Sequence, residues 1–204
     1  MLRLLNHPLA DHLVTQLRNR ETQPQEFREL TYRIGLLLAL ESTKDLSIES
    51  VMVETPLEVC SGNRLSEGLL VVPVLRAGIA MVPSFTDLFP NVSVGYIGME
   101  RDHVTALARN YYSKLPSAVG KRVLVLDPML ATGGSARQSI NLLKGLGCKQ
   151  LALVCVVAAP EGVSAIEASD PEIPIYAAML DRTLDSRKYI LPGLGDYGDR
   201  LYGT

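Results

Sequence analysis

Five short apolar runs, separated by segments of helical character, constrain the fold of this chain more than any other feature of its sequence. Runs of this kind are typical of strands buried on both faces of a parallel sheet. They lie at residues 69–74, 92–97, 122–126, 151–157 and 175–179. Helices are predicted between several of them, near residues 77–87, 134–146 and 161–169. This alternation predicts an α/β fold in which a mostly parallel sheet is flanked by helices.

The first sixty residues differ from the alternating pattern. A helix is predicted over residues 9–18 and another over roughly 23–43, where Thr22 and Gln25 have the spacing of a capping box. The apolar stripe of the second helix recurs at helical intervals and consists of Phe27, Leu30, Ile34, Leu37 and Leu38. Residues 48–60 contain β-branched residues and a proline, and they predict an outlying β-hairpin.

Length and composition indicate a globular protein without a nucleic-acid or membrane partner. The 204 residues suit a single domain over 1–204 with a sizeable core. A net charge of −2 gives no general attraction to nucleic acid or anionic lipid.

The apolar run 68–85 contains Arg76 and two prolines, unlike a spanning helix. The first residues are only briefly apolar, unlike a signal peptide, and three cysteines without a C-x-x-C pair fit a reducing compartment. We therefore expect a cytoplasmic protein.

The segment 122–143 carries the clearest chemical signal. A predicted strand ends at Asp127, a loop follows, and Gly133, Gly134 and Ser135 open a predicted helix. Glycines let the backbone approach a ligand closely, and free amides at a helix start favour a phosphate. Thr132 and Ser135 can add hydroxyl donors. The carboxylate of Asp127 can accept hydrogen bonds from sugar hydroxyls, so the combination suits a phosphorylated sugar. A plain strand-loop-helix turn, with serine as a cap, is the alternative that spacing alone leaves open.

Two other phosphate-binding motifs do not fit this chain. A P-loop needs a lysine after its last glycine, and none follows Gly134, which argues against a P-loop kinase. The letters of a dinucleotide-binding fingerprint occur at 193–198, but only six residues follow them. The helix and the downstream acidic residue that this motif requires are therefore missing.

Four longer stretches resemble the uracil phosphoribosyltransferase family. They are VPVLRAG at 72–78, DPMLATGGSA at 127–136, VVAAPEG at 156–162 and YILPGLGDYGDRLYGT at 189–204. The resemblance covers essentially the whole chain. It implies a phosphoribosyltransferase-type sheet with a β-hairpin arm and a C-terminal base-binding hood. It also implies transfer of phosphoribose from phosphoribosyl pyrophosphate (PRPP) to uracil, assisted by Mg²⁺, to give UMP in pyrimidine salvage.

The resemblance implies a set of PRPP contacts. It places Arg76 and Arg101 on the pyrophosphate, where the arginine fork can hold phosphate oxygens bidentately. The remaining PRPP-binding residues that it implies are Asp127, Pro128, Met129, Leu130, Ala131, Thr132, Gly133, Gly134, Ser135 and Asp196. From the sequence alone, Arg76 could form a structural ion pair, although its place at the carboxyl end of a strand favours an anion contact, and Arg101 could equally be a solvated loop charge.

The resemblance also implies where the base binds. Uracil would lie against Ile190 and the backbone of Gly195, Asp196 and Tyr197. The many glycines of this tail argue against a strand or a helix, and a flexible terminus is the alternative, but its two aspartates and its apolar residues favour an ordered loop. Main-chain donors and acceptors cannot flip to suit the wrong base, unlike a side-chain amide. No protein nucleophile is expected, and the catalytic roles of Arg76, Arg101 and Asp196 would be electrostatic and positional.

Several expectations concern the surroundings of this site. Residues 102–116 predict an exposed loop or arm, and the resemblance implies a mobile lid there, although this segment departs from the family pattern. The resemblance further implies a homodimer or homotetramer and GTP as a candidate allosteric activator.

The alternative to an enzyme is a non-catalytic regulator of the same fold that senses pyrimidine nucleotides or binds RNA. The net charge of −2 gives little support to RNA binding.

Overall fold

The computed structural model describes residues 1–101 and 108–204, which form thirteen strands, six α-helices and one 3-10 helix. The strands are β1 (Leu2–Leu4), β2 (Ile48–Glu54), β3 (Val59–Leu65), β4 (Gly68–Leu75), β5 (Ser93–Val94), β6 (Tyr96–Arg101), β7 (Ala108–Lys114), β8 (Lys121–Leu126), β9 (Met129–Leu130), β10 (Gln150–Ala158), β11 (Ile175–Leu180), β12 (Thr183–Leu184) and β13 (Ile190–Leu191). The helices are α1 (Pro8–Arg18), α2 (Pro24–Thr43), α3 (Val82–Leu88), α4 (Gly134–Gly145), α5 (Pro160–Ser169) and α6 (Tyr197–Tyr202), with the 3-10 helix Ala77–Met81 directly before α3.

The central sheet confirms the predicted α/β fold. Its strands follow the order β1, β11, β10, β8, β4, β6 and β7, while β5 pairs with β4 and β9 with β10. The pairings are parallel except that of β6 with β7. Val123 of β8 lies opposite Leu70 of β4 on one side and Leu151 of β10 on the other. The middle strands therefore end together at one edge of the sheet.

Both faces of the sheet are covered because successive residues of a strand point to opposite sides. In β8, Leu124 and Leu126 belong to the core beneath α1, α2 and α3. Val123 and Val125 belong to the second core, which α4 and α5 cover. All four side chains are fully buried. With both faces occupied, the ends of the strands are left for ligands.

The start of α2 differs from the predicted capping box. The helix begins at Pro24, and its N-cap residue Gln23 makes no side-chain capping hydrogen bond. Thr22 Oγ1 instead donates to the carbonyl oxygen of Gln16 over 2.7 Å, and Gln25 Nε2 donates to Glu29 Oε1 over 3.1 Å. A proline in the first turn has a suitable φ and brings no N–H that needs a partner, so the helix starts without the box.

Other predicted boundaries were wrong because they depended on contacts distant in sequence. The hairpin formed by β2 and β3 extends to residue 65, five residues beyond the prediction. The run 92–97 is divided into β5 and β6 at Gly95, whose N–H donates to the carbonyl oxygen of Val71. Part of the predicted arm 102–116 is the strand β7, while residues 102–107 lie outside the described part of the chain. The tail contains β13 and the helix α6, where the sequence predicted neither.

We expect Gly35→Ala to destabilise the fold at the contact between α2 and α3. A Cβ atom at Gly35 would lie 2.2 Å from Ser84 Oγ and 2.9 Å from Ser84 Cβ. Ser84 is buried and donates a hydrogen bond to the carbonyl oxygen of Tyr32, so it cannot easily move. Overpacking of this kind costs about 1–3 kcal/mol, which thermal unfolding would measure.

The matched control for this substitution is Gly145→Ala at the end of α4. A Cβ atom at Gly145 would meet no atom within 4 Å. Because alanine favours helices more than glycine does, this variant should be unchanged or slightly more stable. Equal melting temperatures for the two variants would contradict the packing argument.

Candidate functional site

The carboxyl edge of the sheet brings together residues that lie about fifty positions apart in the sequence. In the register of β4 and β8, Pro73 pairs with Leu126. Arg76 and Asp127 follow the ends of these neighbouring strands, so both residues lie at the same edge. Ligands of parallel α/β sheets bind at such edges, and this is where the sequence analysis placed the candidate site.

The first half of the loop after Asp127 is fixed to β10 by hydrogen bonds. The carbonyl oxygen of Pro128 accepts from Val156 N over 2.9 Å and from Val157 N over 3.0 Å, and that of Leu130 accepts from Ala159 N over 2.8 Å. The strand β9, which comprises Met129 and Leu130, pairs with the end of β10, and Leu130 is buried. These residues therefore define the path of the loop before it reaches the start of α4.

The second half of the loop leads into the N-terminus of α4. Gly133 is the N-cap residue with φ of 80°, and no side chain caps this end of the helix. A Cβ atom at Gly134 would meet only Thr132 Oγ1, at 3.6 Å, so there is open space before the first turn. Thr132 Oγ1 accepts a long hydrogen bond of 3.4 Å from Gly134 N. Uncapped amides and the positive end of the helix dipole suit an anion such as a phosphate.

Asp127 is held at the base of this loop. Its Oδ2 accepts a hydrogen bond of 2.9 Å from Ser135 Oγ, and its Oδ1 lies 3.5 Å from Met129 N. Burial raises the pKa of Asp127 to about 6, and the bonds from Ser135 and Met129 only partly oppose this shift. The Ser135 hydroxyl therefore donates to Asp127 here, whereas the sequence analysis considered it as a donor to the ligand.

Two further glycines shape the site, and the sequence analysis gave them no role. A Cβ atom at Gly162, in the first turn of α5, would lie 2.5 Å from the carbonyl oxygen of Ala131. A Cβ atom at Gly78 would lie 2.3 Å from the carbonyl oxygen of Leu126. Only glycine allows these close approaches, which set the loop and the end of β8 against their neighbours. Both residues lie in stretches with family resemblance, which is the only signal that could have identified them.

Arg76 lies beside the end of the chain. Its side chain is 62% exposed, and its Nη2 lies 3.7 Å from Asp199 Oδ1. Its guanidinium carbon is 5.8 Å from the ring centre of Tyr202, whose hydroxyl contacts the carbonyl oxygen of Arg76 over 3.4 Å. The peptide bond that precedes Arg76 is cis. The other predicted arginine, Arg101, ends β6, and its side chain lies outside the described part of the structure.

The C-terminal segment, residues 189–204, packs against Arg76, and the residues predicted to bind the base differ in their exposure. Gly195, with φ of 77°, and Asp196 are exposed, whereas Ile190 and Tyr197 are buried. Asp196 Oδ1 accepts a hydrogen bond of 3.0 Å from Asp199 N and so caps α6. This cap, together with the burial of Tyr197 and Leu201, explains why a glycine-rich tail forms a helix.

The side chain of Tyr197 belongs to the core. Its hydroxyl forms a 2.8 Å hydrogen bond with Thr31 Oγ1, and its ring packs edge-on against Phe27 at 4.9 Å between centres. Burial raises the pKa of Tyr197. The site can therefore use this residue only through its backbone, in keeping with the backbone contact that the resemblance implies.

Taken together, the described residues offer complementary chemistry at one edge of the sheet. An uncapped helix start can hold a phosphate, and a carboxylate beside it can accept hydrogen bonds from hydroxyl groups. An exposed arginine can bind a second anionic group, and a backbone segment beside that arginine can hydrogen-bond a planar ring. This arrangement suits a sugar that carries phosphate groups at both ends, next to a heterocyclic base.

Comparison with known proteins agrees with this geometry. The family model for uracil phosphoribosyltransferase matches residues 4–204. A uracil phosphoribosyltransferase of Dictyoglomus thermophilum is 46% identical over 206 residues, which cover 100% of both chains. The structure of a protein from Aquifex aeolicus superposes with a TM-score of 0.95 at 36% identity, covering 100% of this chain and 99% of the other. A hypoxanthine phosphoribosyltransferase of Staphylococcus aureus shares the fold, with a TM-score of 0.54, 16% identity and coverage of 89% and 91%.

We expect Asp127→Asn to stabilise the protein increasingly as the pH rises. The pKa of Asp127 in the folded state, about 6, exceeds the ordinary pKa of 3.8 for an aspartate carboxyl. The folded state therefore prefers the protonated carboxyl, whose contribution to stability is complete below pH 3.8 and is lost as the pH rises through about 6. Asparagine does not titrate, so between pH 4 and 7.5 the variant should gain about 2 kcal/mol relative to the wild type.

Chemical denaturation at several pH values would measure this difference in unfolding free energy. Ser135→Ala is the matched variant, because it removes the hydrogen bond that lowers the pKa of Asp127. The pH range in which its stability falls should therefore move upwards. A constant difference between Asp127→Asn and the wild type would contradict the raised pKa.

Proposed function

This chain belongs to the uracil phosphoribosyltransferase family, and we propose that it transfers the phosphoribosyl group of PRPP to uracil, giving UMP and pyrophosphate in pyrimidine salvage. One observation carries this proposal. The strand that ends at Asp127, its loop and the uncapped start of α4 lie at the same sheet edge as Arg76 and the C-terminal segment. The site thus offers separate positions for a phosphate, a ribose, a pyrophosphate and a base.

The 5′-phosphate of PRPP would bind at the start of α4. The backbone of Ala131, Thr132, Gly133, Gly134 and Ser135 would hold it, next to the open space at Gly134. Here the ligand gains from the helix dipole as well as from unpaired N–H groups. Asp127 would then accept hydrogen bonds from the ribose hydroxyls, a role that requires its ionised form.

Arg76 would bind the pyrophosphate and stabilise the charge that develops as this group departs. Among the described residues, its exposed guanidinium makes a long contact with Asp199 and lies near the ring of Tyr202, so most of its donors are available for a ligand. Arg101 is proposed as the second pyrophosphate ligand on the strength of the family resemblance. Asp196 would link the two substrates from the exposed bend before α6.

Uracil would be recognised by the backbone at Gly195, Asp196 and Tyr197, beside Ile190. One edge of uracil offers a carbonyl, an N–H and a second carbonyl, and cytosine does not share this pattern. A fixed backbone leaves polar groups unpaired when the wrong base binds, and such mismatches can reject an analogue by about 10⁴-fold. The buried side chains of Ile190 and Tyr197 hold this backbone in place.

The reaction would be a displacement at the anomeric carbon of the ribose. The bond from this carbon to the pyrophosphate oxygen breaks, and a bond forms to a ring nitrogen of uracil, which loses its proton. No protein nucleophile is needed, because the residues act by holding the two substrates in line and by stabilising charge. Arg76 is the described residue best placed to stabilise the leaving group.

We propose Mg²⁺ as the metal that accompanies PRPP. Within the described residues, no cluster of three His, Cys, Asp or Glu side chains could hold a metal ion. Mg²⁺ commonly binds through substrate phosphates and water together with one or two carboxylates, and Asp196 and Asp199 offer carboxylates beside Arg76. When bound, Mg²⁺ neutralises part of the pyrophosphate charge.

Quaternary structure, regulation and location are further proposals. A homodimer or homotetramer is supported by the hairpin of β2 and β3, which exposes Ile48, Met52 and Val59. Activation by GTP and a cytoplasmic location stay predictions from the family resemblance and the composition.

No helix in the described part of the chain has the length and apolar character needed to cross a membrane.

The comparisons do not favour a regulator of the same fold. The Dictyoglomus thermophilum relative, which matches along the whole chain, is named as a uracil phosphoribosyltransferase. A nucleotide-sensing role would also leave the arrangement of Arg76 beside the exposed backbone of the C-terminal segment without a purpose.

A panel of bases, with PRPP and Mg²⁺, tests the proposed function. We expect the purified protein to convert uracil to UMP and to leave cytosine, hypoxanthine and orotate nearly untouched, since the backbone fits only the edge of uracil. Chromatography of the nucleotide products would measure this. Comparable activity with a purine base would overturn the assignment, and binding of UMP without any turnover would favour the regulator.

Substitution of Arg76 tests its role in the departure of pyrophosphate. One preorganised donor is worth about 10²–10³ in turnover, so Arg76→Ala should lower kcat by that factor. Arg76→Lys should recover little, because an ammonium cannot replace a bidentate fork. The exposed contact with Asp199 contributes little to stability, so both melting temperatures should remain near that of the wild type.

The matched control is Arg33→Ala, which removes an exposed arginine from α2. It should retain full turnover. A destabilised Arg76→Ala enzyme with normal kcat in its folded fraction would instead assign Arg76 a purely structural role.

A further inference from the structure

A buried carboxylate outside the phosphate loop holds the start of the C-terminal segment. Asp181 directly follows β11, and its side chain is 3% exposed. Its Oδ2 accepts a hydrogen bond of 2.8 Å from Gly193 N. A buried charge is costly unless it is paired and hydrogen-bonded, so the carboxylate of Asp181 needs a cation and hydrogen-bond donors next to it.

Arg18, the last residue of α1, pairs with this carboxylate. Its Nη1 donates to Asp181 Oδ2 over 2.9 Å, and its Nη2 donates to Asp181 Oδ1 over 2.5 Å. Nη1 also donates to the carbonyl oxygen of Gly193 over 2.9 Å. The N–H and the C=O of Gly193 are therefore both held by one ion pair, which connects α1, the end of β11 and the C-terminal segment.

The other side of the exposed bend is anchored by Arg200, which also donates to the carbonyl oxygens of Leu17 and Asn19 on either side of Arg18. Arg200 Nη1 donates to the carbonyl oxygen of Leu194 over 3.0 Å, and its Nη2 donates to the carbonyl oxygen of Asn19 over 2.6 Å. Tyr197 is fixed by its hydrogen bond with Thr31. Gly195 and Asp196, which are exposed, thus lie between two anchored stretches of backbone.

We propose that Arg18 and Asp181 are positioning residues for base recognition, because their ion pair fixes the peptide groups of Gly193 and thereby the course of the backbone at Gly195 and Asp196. This inference rests on the proposed function, in which that backbone hydrogen-bonds the edge of uracil. The pair does not touch either substrate. Its effect is to keep the donors and acceptors of the bend where the planar base meets them.

The role of the ion pair can be distinguished from the role of the phosphate loop by measuring the binding of uracil and of PRPP in the same variants. The Arg18→Ala, Asp181→Ala double variant removes both charges together and so avoids the unpaired buried charge that either single variant would leave. We expect its KM for uracil to rise by roughly 10–100-fold, since displacement of a binding group by about 1 Å has effects of this size. The Kd for PRPP should rise much less than the KM for uracil, because Asp196 is the one proposed PRPP contact in the bend, and discrimination between uracil and cytosine should fall.

Arg18→Lys provides a conservative variant. Lysine keeps the charge but cannot form the bidentate pair with Asp181. Its KM for uracil should lie between the values for the wild type and the double variant, with the Kd for PRPP again changed much less.

A control for general destabilisation is the comparable pair of Lys144 and Asp170. Their Nζ and Oδ1 atoms are 2.5 Å apart, and the Asp170 side chain is 5% exposed. Asp170→Asn should lower the melting temperature and leave the KM for uracil and the base preference unchanged. Steady-state kinetics, calorimetry with PRPP and thermal unfolding on the same preparations supply the comparison.

The outcomes distinguish a failure of the positioning role from a failure of the proposed function. If the wild type makes UMP but both Arg18 variants keep a normal KM for uracil in the folded fraction, the positioning role is overturned and the proposed function stands. An equal loss of affinity for PRPP and uracil would also overturn the positioning role. A wild-type protein that makes no UMP would overturn the proposed function and this inference together.

Discussion

The parallel pairing of β8 between β4 and β10 is the constraint on which the rest of the structure depends. Because the strands run in the same direction and in register, their ends place Arg76, Asp127 and the start of α5 at one edge. Apolar residues on both faces of β8 stabilise this arrangement by hydrophobic burial beneath two layers of helices. The stability of the sheet therefore depends little on the residues of the site, so polar and charged side chains can lie there.

The charges of the site differ in burial, because the site lies at the edge of the sheet and not in its core. Asp127 lies close enough to the core for its pKa to rise to about 6, yet its carboxylate remains beside the open start of α4. Arg76 is exposed and pairs only weakly with Asp199, so its charge is available to an anion. A negatively charged ligand can thus bind to a chain with a net charge of −2, since the favourable groups are local and fixed.

The C-terminal segment depends on the N-terminal helices for its conformation. Arg18 at the end of α1 holds Gly193. Phe27 and Thr31 in the interior of α2 hold Tyr197. The bend at Gly195 is consequently supported by parts of the chain more than a hundred and fifty residues away. This dependence explains how a short glycine-rich tail can have an ordered backbone.

The sequence by itself determined the features that arise from neighbouring residues. Apolar runs predicted the strands of the sheet, and the order of Asp127, loop and two glycines predicted a phosphate site, because periodicity and helix starts are local properties. The tertiary structure alone decided that Ser135 bonds to Asp127, that Tyr197 is buried and that the tail forms α6. It also decided the pairing of Arg18 with Asp181, since contacts between residues 163 positions apart leave no periodic trace in the sequence. Such contacts form only once the sheet has brought distant segments to the same edge.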